Sequence, residues 1–137
     1  MHTEIIRSMI ENSYSIEEKE KFTHIKIDEP RFTAKIAPQL KEDLTEMDQQ
    51  GVKNIIFDLS PVAYCDSSAL SAILVANKMC VDRNGLMVIC SASANVMKLI
   101  EISKLQDLLT IVPTYDEAMD FLYMDELEKG LDDVNPN

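Results

Sequence analysis

Two apolar runs in the middle of the chain differ in spacing, and that difference sets the fold class. Asn54 to Leu59 reads NIIFDL, a compact run rich in β-branched residues and without regular polar alternation. Such a run predicts a central strand buried on both faces. From Ser68, the residues Leu70, Ile73 and Leu74, then Met79, Cys80 and Val81, recur at roughly a helical period, and Asn84-Gly85 closes that helix. The alternation continues downstream. LMVICSA predicts another buried strand, and SANVMKLIEISKL a short helix whose apolar side is Val96, Leu99, Ile100 and Ile102. LLTIV predicts a strand and PTYDEAMDFLYMDELEKG a last helix. Thr114 and Glu117 give that helix a Thr-x-x-Glu capping box, and Gly130 is expected to end it.

Upstream, YSIEEKEKFTHIKI holds two short alternating segments split by the polar run Glu17–Lys21. It predicts a β-hairpin with Phe22, Ile25 and Ile27 turned partly inward. A helix follows, with Pro38 in its first turn, Leu40, Leu44 and Met47 on one face, and Gly51 at its C-terminal end. The order β-β-α-β-α-β-α-β-α, with helical crossovers between buried strands, predicts an α/β domain with a mostly parallel sheet. That domain is assigned to residues 14–130. Residues 1–13 form an N-terminal extension, in which Ile5, Ile6, Met9 and Ile10 would share one helical face. A short docking helix and a frayed end are both open there. Residues 131–137, LDDVNPN, are expected to be a disordered acidic tail.

Composition narrows the function. At 137 residues, 46% of them hydrophobic, the chain fits one domain with one core. Its formal net charge of −11 repels phosphate backbones and anionic lipid heads, which argues against nucleic-acid or direct membrane contact and suits a basic, or locally basic, protein partner. No apolar run approaches the roughly 18 residues of a membrane span, and MHTEIIRSMIENSYS has no signal-peptide pattern. Cys65, Cys80 and Cys90 are odd in number and make no Cys-x-x-Cys pair. They read as small buried hydrophobes in a reducing, cytoplasmic setting. The eight methionines read as gap-filling core residues. A metal site or a Ser-His-Asp arrangement would rest on His24 alone, and no cofactor is expected.

The junction between the central strand and the next helix reads Asp66-Ser67-Ser68. Asp66 suits the N-cap, where a side-chain oxygen accepts from an unpaired first-turn N–H. Local chemistry alone therefore reads the triplet as capping. One cap needs one residue, however, and Ser67 is left in the first turn with an accessible hydroxyl. A phosphate there would meet free N–H donors and the positive end of the helix dipole without unfolding the domain.

The run NIIFDLSPVAYCDSSALSAILVANK resembles the signature of STAS domains, especially the bacterial anti-sigma factor antagonists: a strand ending in Asp-Leu-Ser, then Asp-Ser-(Ser/Thr)-Gly-Leu opening a helix. The similarity spans about residues 14–125 and includes the downstream "hydrophobic-x-x-Ser-x-Leu" end of the third helix. It implies a STAS fold. It further implies a non-enzymatic switch protein that binds an anti-sigma factor, itself a serine kinase, and so frees a sigma factor. The kinase phosphorylates the serine after the motif's Asp, and a PP2C-type phosphatase removes the phosphate. Carried over, Ser67 is the phosphate acceptor, Asp66 its neighbour and cap, and Ser68 a supporting residue.

Two positions depart from the pattern. Ala69 stands where the family has glycine, which sets a methyl group where a docking kinase would pack. EPRFTAKI replaces a Gly-Glu-Leu-Asp-like stretch that borders the family's partner surface, so Arg31 and Thr33 join Asp66, Ser67, Ser68 and Ala69 as partner-binding residues. The alternative is a STAS scaffold that is never phosphorylated, like the small cytoplasmic subunit of lipid-transporting ABC complexes. The oligomeric state is left open.

Overall fold

The computed structural model describes residues 13–134, with side chains through Leu131. The choice between a docking helix and a frayed end at residues 1–12 lies outside the described residues, as do residues 135–137 of the expected tail. The elements are β1 (Tyr14–Glu18), β2 (Thr23–Ile27), β3 (Arg31–Phe32), α1 (Ala37–Gln49), β4 (Asn54–Asp58) and β5 (Tyr64–Cys65). They continue with α2 (Ser67–Asp82), β6 (Leu86–Cys90), α3 (Ala94–Ile102), β7 (Thr110–Val112) and α4 (Tyr115–Val134). Among the described residues, five strands form a sheet in the order β1-β2-β4-β6-β7. β1 and β2 are the expected antiparallel hairpin, and every other neighbour in this sheet is parallel.

The pleat sorts side chains onto two layers. Register aligns Ile25, Phe57 and Ile89 across β2, β4 and β6. These three join Ile55 and Met87 in the larger core, beneath α1, α2 and α3. Ile56 and Val88 face the other way and pack with Ala118 and Leu122 of α4. All five residues of β4 are buried, as the unbroken apolar run predicts. Cys65, Cys80 and Cys90 are buried too. Burial pushes the Cys65 thiol up to about 11 and those of Cys80 and Cys90 up to about 12, so they behave as small hydrophobes at neutral pH.

Several boundaries move for local reasons. Gly51 sits at φ +86° beyond α1, where Val52 N–H reaches back to the Met47 carbonyl at 3.1 Å. Beyond α2 the left-handed residue is Asn84, at φ 58°, not the glycine after it. Gly85 is needed for space instead: a Cβ there would lie 1.7 Å from the Lys53 carbonyl oxygen. α4 passes Gly130, where the sequence reading ends it, and runs to Val134. Its N-terminus carries the expected box, with Glu117 N–H donating to Thr114 Oγ1 at 3.1 Å. The expected LLTIV strand shortens to Thr110–Val112, because Leu108 is exposed and Leu109 turns into the core. A second, two-stranded sheet of β3 and β5 adds to the expected order, since strands of two residues leave no alternating pattern.

His24 is absorbed by the fold. Its Nε2 lies 3.0 Å from Asp58 Oδ2, and its ring rests 4.5 Å from that of Tyr115. Asp58 Oδ1 also accepts from Ser60 N–H at 3.0 Å. Burial alone would raise the Asp58 carboxyl, but hydrogen bonds from His24 and Ser60, together with the His24 charge, hold it below its ordinary value.

Gly85→Ala should destabilise the domain by several kcal/mol, on the order of 2–4, because a methyl cannot share space with backbone. Gly130→Ala, in open space on a helix, should stabilise by about 0.5–1 kcal/mol. Urea unfolding of both variants reads the opposite signs. For Asp58 the folded pKa is depressed, so its contribution is present above about pH 4 and lost as pH falls through the folded value. Asp58→Asn should flatten the fall in urea midpoint as pH drops below about 4. An unchanged pH slope would exclude this linkage.

Candidate functional site

After β4 the chain turns at Ser60-Pro61 and re-enters as β5. Ala63 and Tyr64 N–H groups both donate to the Pro30 carbonyl, at 2.8 and 3.1 Å. β5 then pairs in parallel with β3, setting Arg31 beside Tyr64 and Phe32 beside Cys65. This small sheet brings the 30–36 loop against the start of α2, although the two are far apart in sequence.

Asp66 holds the two segments together. Its backbone is extended (φ −110°, ψ −174°), as an N-cap requires. Oδ1 accepts from Ala69 N–H at 3.1 Å, and Oδ2 accepts from Ala34 N–H at 3.3 Å. The Asp66 N–H in turn donates to the Phe32 carbonyl at 3.3 Å. One carboxylate thus caps the helix and fastens the neighbouring loop.

Ser67 is the first residue of α2 and is exposed. Ser68 follows and is half-buried. An α-helix leaves its first N–H groups without intrahelical acceptors, and the Asp66 side chain takes the one at Ala69. The end at Ser67 therefore keeps positive character. Ala69 is fully buried, so its methyl group belongs to the core and is out of reach of a docking protein. It takes part only through its N–H.

Arg31 and Thr33 line a cleft of about 580 Å³ with Asp66, Tyr64 and Lys35. The Arg31 guanidinium lies 4.6 Å from the centre of the Tyr64 ring, a cation–π contact. This cleft sets two exposed cations, Arg31 and Lys35, against two carboxylates, the exposed Glu29 and the Asp66 cap.

Sequence reasoning missed two parts of this surface. Tyr64, 46% exposed, supports Arg31; nothing in the sequence signals that pairing, because it depends on β3 meeting β5. Ser71 stands one helical turn below Ser67 and accepts from Lys41 Nζ of α1 at 2.6 Å. Here the i, i+4 spacing of Ser67, Ser71 and the exposed Val75 is a signal that was available. Among the described residues, no group of His, Cys, Asp and Glu side chains could hold a metal ion. No described helix is long and apolar enough to cross a membrane.

Asp66→Ala should cost about 1–2 kcal/mol in urea unfolding, since it loses both the cap and the tie to Ala34. Asp66→Asn keeps an accepting oxygen for Ala69 and should cost less. Equal losses in the two variants would mean that the carboxamide oxygen does not replace the cap.

Comparison with known proteins agrees with this geometry. An anti-sigma-B factor antagonist of Staphylococcus aureus is 32% identical over 74 residues, which is 54% of this chain and 68% of that protein. Among solved structures, a STAS domain protein from Planctomyces limnophilus superposes with a TM-score of 0.73 at 16% identity, covering 80% of this chain and 97% of that one. The phosphorylated form of SpoIIAA from Bacillus superposes with a TM-score of 0.64 at 19% identity, covering 78% and 96%. Residues 13–118 match the STAS domain family as a whole, and the chain belongs to that family.

Proposed function

We propose that this protein is a cytoplasmic anti-sigma factor antagonist, and that phosphate on Ser67 switches its hold on an anti-sigma factor. The observation that carries the proposal is the exposure of Ser67 at the first position of α2, beside a cap supplied by Asp66. The S. aureus relative's name, anti-sigma-B factor antagonist, supports the class of partner. The phosphorylated SpoIIAA structure is consistent with a fold that survives the modification.

The switch follows from charge. In the unmodified state, Ser67 and Ser68 at the tip of α2 and the loop bearing Arg31 and Thr33 form one docking surface. The anti-sigma factor, acting as a serine kinase, transfers the γ-phosphoryl group of ATP to Ser67 Oγ; the hydroxyl proton leaves and ADP is released. The new group carries nearly two negative charges at neutral pH. Within the domain these charges sit favourably at a helix N-terminus, so the fold is kept. At the interface they must be desolvated beside Asp66, on a protein already strongly acidic. A hundredfold loss of affinity needs only about 2.7 kcal/mol, which one poorly solvated phosphate can supply. A PP2C-type phosphatase then restores the serine by hydrolysis. The protein itself performs no catalysis in this cycle.

Because Ser67 is not the cap, its substitution should leave the fold intact and move only binding and modification. Ser67→Ala should bind the cognate anti-sigma factor normally and take up no phosphate in intact-mass measurements with kinase and ATP. Ser67→Asp should bind at least about tenfold more weakly in calorimetry. Phosphate found on another residue, or equal affinity for both variants, would reject the switch.

A further inference from the structure

The outward face of α4 carries an apolar stripe that the domain does not use. α4 buries Ala118 and Leu122 against the sheet. On its other side Phe121, Met124, Leu127 and Leu131 recur at helical spacing, with exposures of 47, 55, 58 and 55%. One helix therefore presents two apolar faces, where a helix at a domain surface ordinarily has one. Isolated exposed hydrophobics are common, but four along one side of a single helix, interleaved with the carboxylates Glu117, Asp120 and Glu128, exceed that and mark an interaction surface. Phe121 and Met124 meet Val112 and Pro113 in a groove of about 440 Å³.

The rim of that groove fixes the sign of its partner. Glu117, Asp120 and Glu128 border it and are exposed. Lys129 is the only basic residue of α4, and it is turned away: its Nζ donates to the Asn84 carbonyl at 2.7 Å and pairs with Asp125 at 2.7 Å. A second copy of this chain fits poorly. A two-fold contact sets a patch against itself, and here it would bring acidic rim against acidic rim. Anionic lipid heads meet the same repulsion. An apolar stripe flanked by lysine or arginine matches both the floor and the rim, as an amphipathic helix does in a groove.

We propose that the Phe121–Leu131 face of α4 is a second docking surface, and that its occupant is a cationic amphipathic helix of another protein. It lies across the sheet from α2, since the α2 and α4 cores are on opposite faces. Occupancy of one surface leaves the other open, and the α4 surface does not depend on the state of Ser67.

The probe is a fluorescein-labelled helical peptide of about 18 residues, built of leucine along one stripe and lysine elsewhere. Its affinity for the full chain is read by anisotropy. Phe121→Ser with Met124→Ser should weaken binding about tenfold or more, and Asp120→Asn with Glu128→Gln should do the same by removing rim charge. Val81→Ser with Ile102→Ser, at exposed apolar positions elsewhere, should leave binding unchanged, as should Ser67→Asp. Circular dichroism melts confirm that each variant is folded. The proposal is overturned if the groove variants bind like the parent, or if the control pair weakens binding as much. It is equally overturned if sedimentation shows that Phe121→Ser abolishes a dimer, or if the groove captures vesicles of anionic lipid instead of the peptide.

Discussion

Strand β4 has no side that faces solvent, and the rest of the architecture answers that constraint. Ile55 and Phe57 demand a helical layer on one face, and Ile56 demands one on the other. Each such side chain contributes about 1.5–3 kcal/mol by burial, so neither layer can be omitted cheaply. The strand's polar ends are buried too, and each is satisfied. Asn54 donates to the Lys21 carbonyl and to Glu126 and accepts from Leu86 N–H, which joins the hairpin turn, β6 and α4 at one amide. Asp58 is held by His24 and Ser60 at the other end. A buried polar group left without such partners would cost about 1–3 kcal/mol, comparable to one core side chain.

The same constraint produces the surface at α2. A strand in the middle of a parallel sheet must leave it by a crossover, so the chain emerges beyond the C-terminal edge of β4 before the helix returns. Asp66 sits at that turning point and uses both carboxylate oxygens, one on the helix and one on the Ala34 loop. Its fixed role leaves Ser67 free of structural duty. An exposed hydroxyl next to a rigid cap can therefore change charge at small cost to the fold, whereas the same change at Ala69 would disrupt the core.

The two faces of the sheet have also come to differ electrostatically. On the α2 side, Arg31, Lys35 and Lys41 stand near the start of the helix. On the α4 side, the one basic residue of the helix is consumed internally and the exposed rim is acidic. A protein of net charge −11 thus carries two unlike surfaces, one where Arg31 and Lys35 stand among the carboxylates Glu29 and Asp66, and one groove along α4 bordered by carboxylates alone.

Patterning alone determined the order and type of the four helices and of the strands in the five-stranded sheet, because period-2 and helical spacings are local and burial enforces them. NIIFDL reads as a doubly buried strand, and Asp66 before a helical period reads as the cap of that helix; both stand in the structure. Composition likewise determined that the cysteines serve as core, since neither spacing nor count gave them another role. What tertiary structure decided were contacts between segments distant in sequence. The β3–β5 pairing, the Arg31–Tyr64 stack and the second hydrogen bond of Asp66 to Ala34 leave no periodic trace, because each depends on where two loops meet. The Ala69 methyl faces inward for a similar reason. A residue's type does not reveal its azimuth around a helix until the helix has packed. Gly85 shows the same limit at a smaller scale: its neighbour Asn84 takes the left-handed turn, and the glycine answers to the Lys53 carbonyl that the parallel sheet brings beside it.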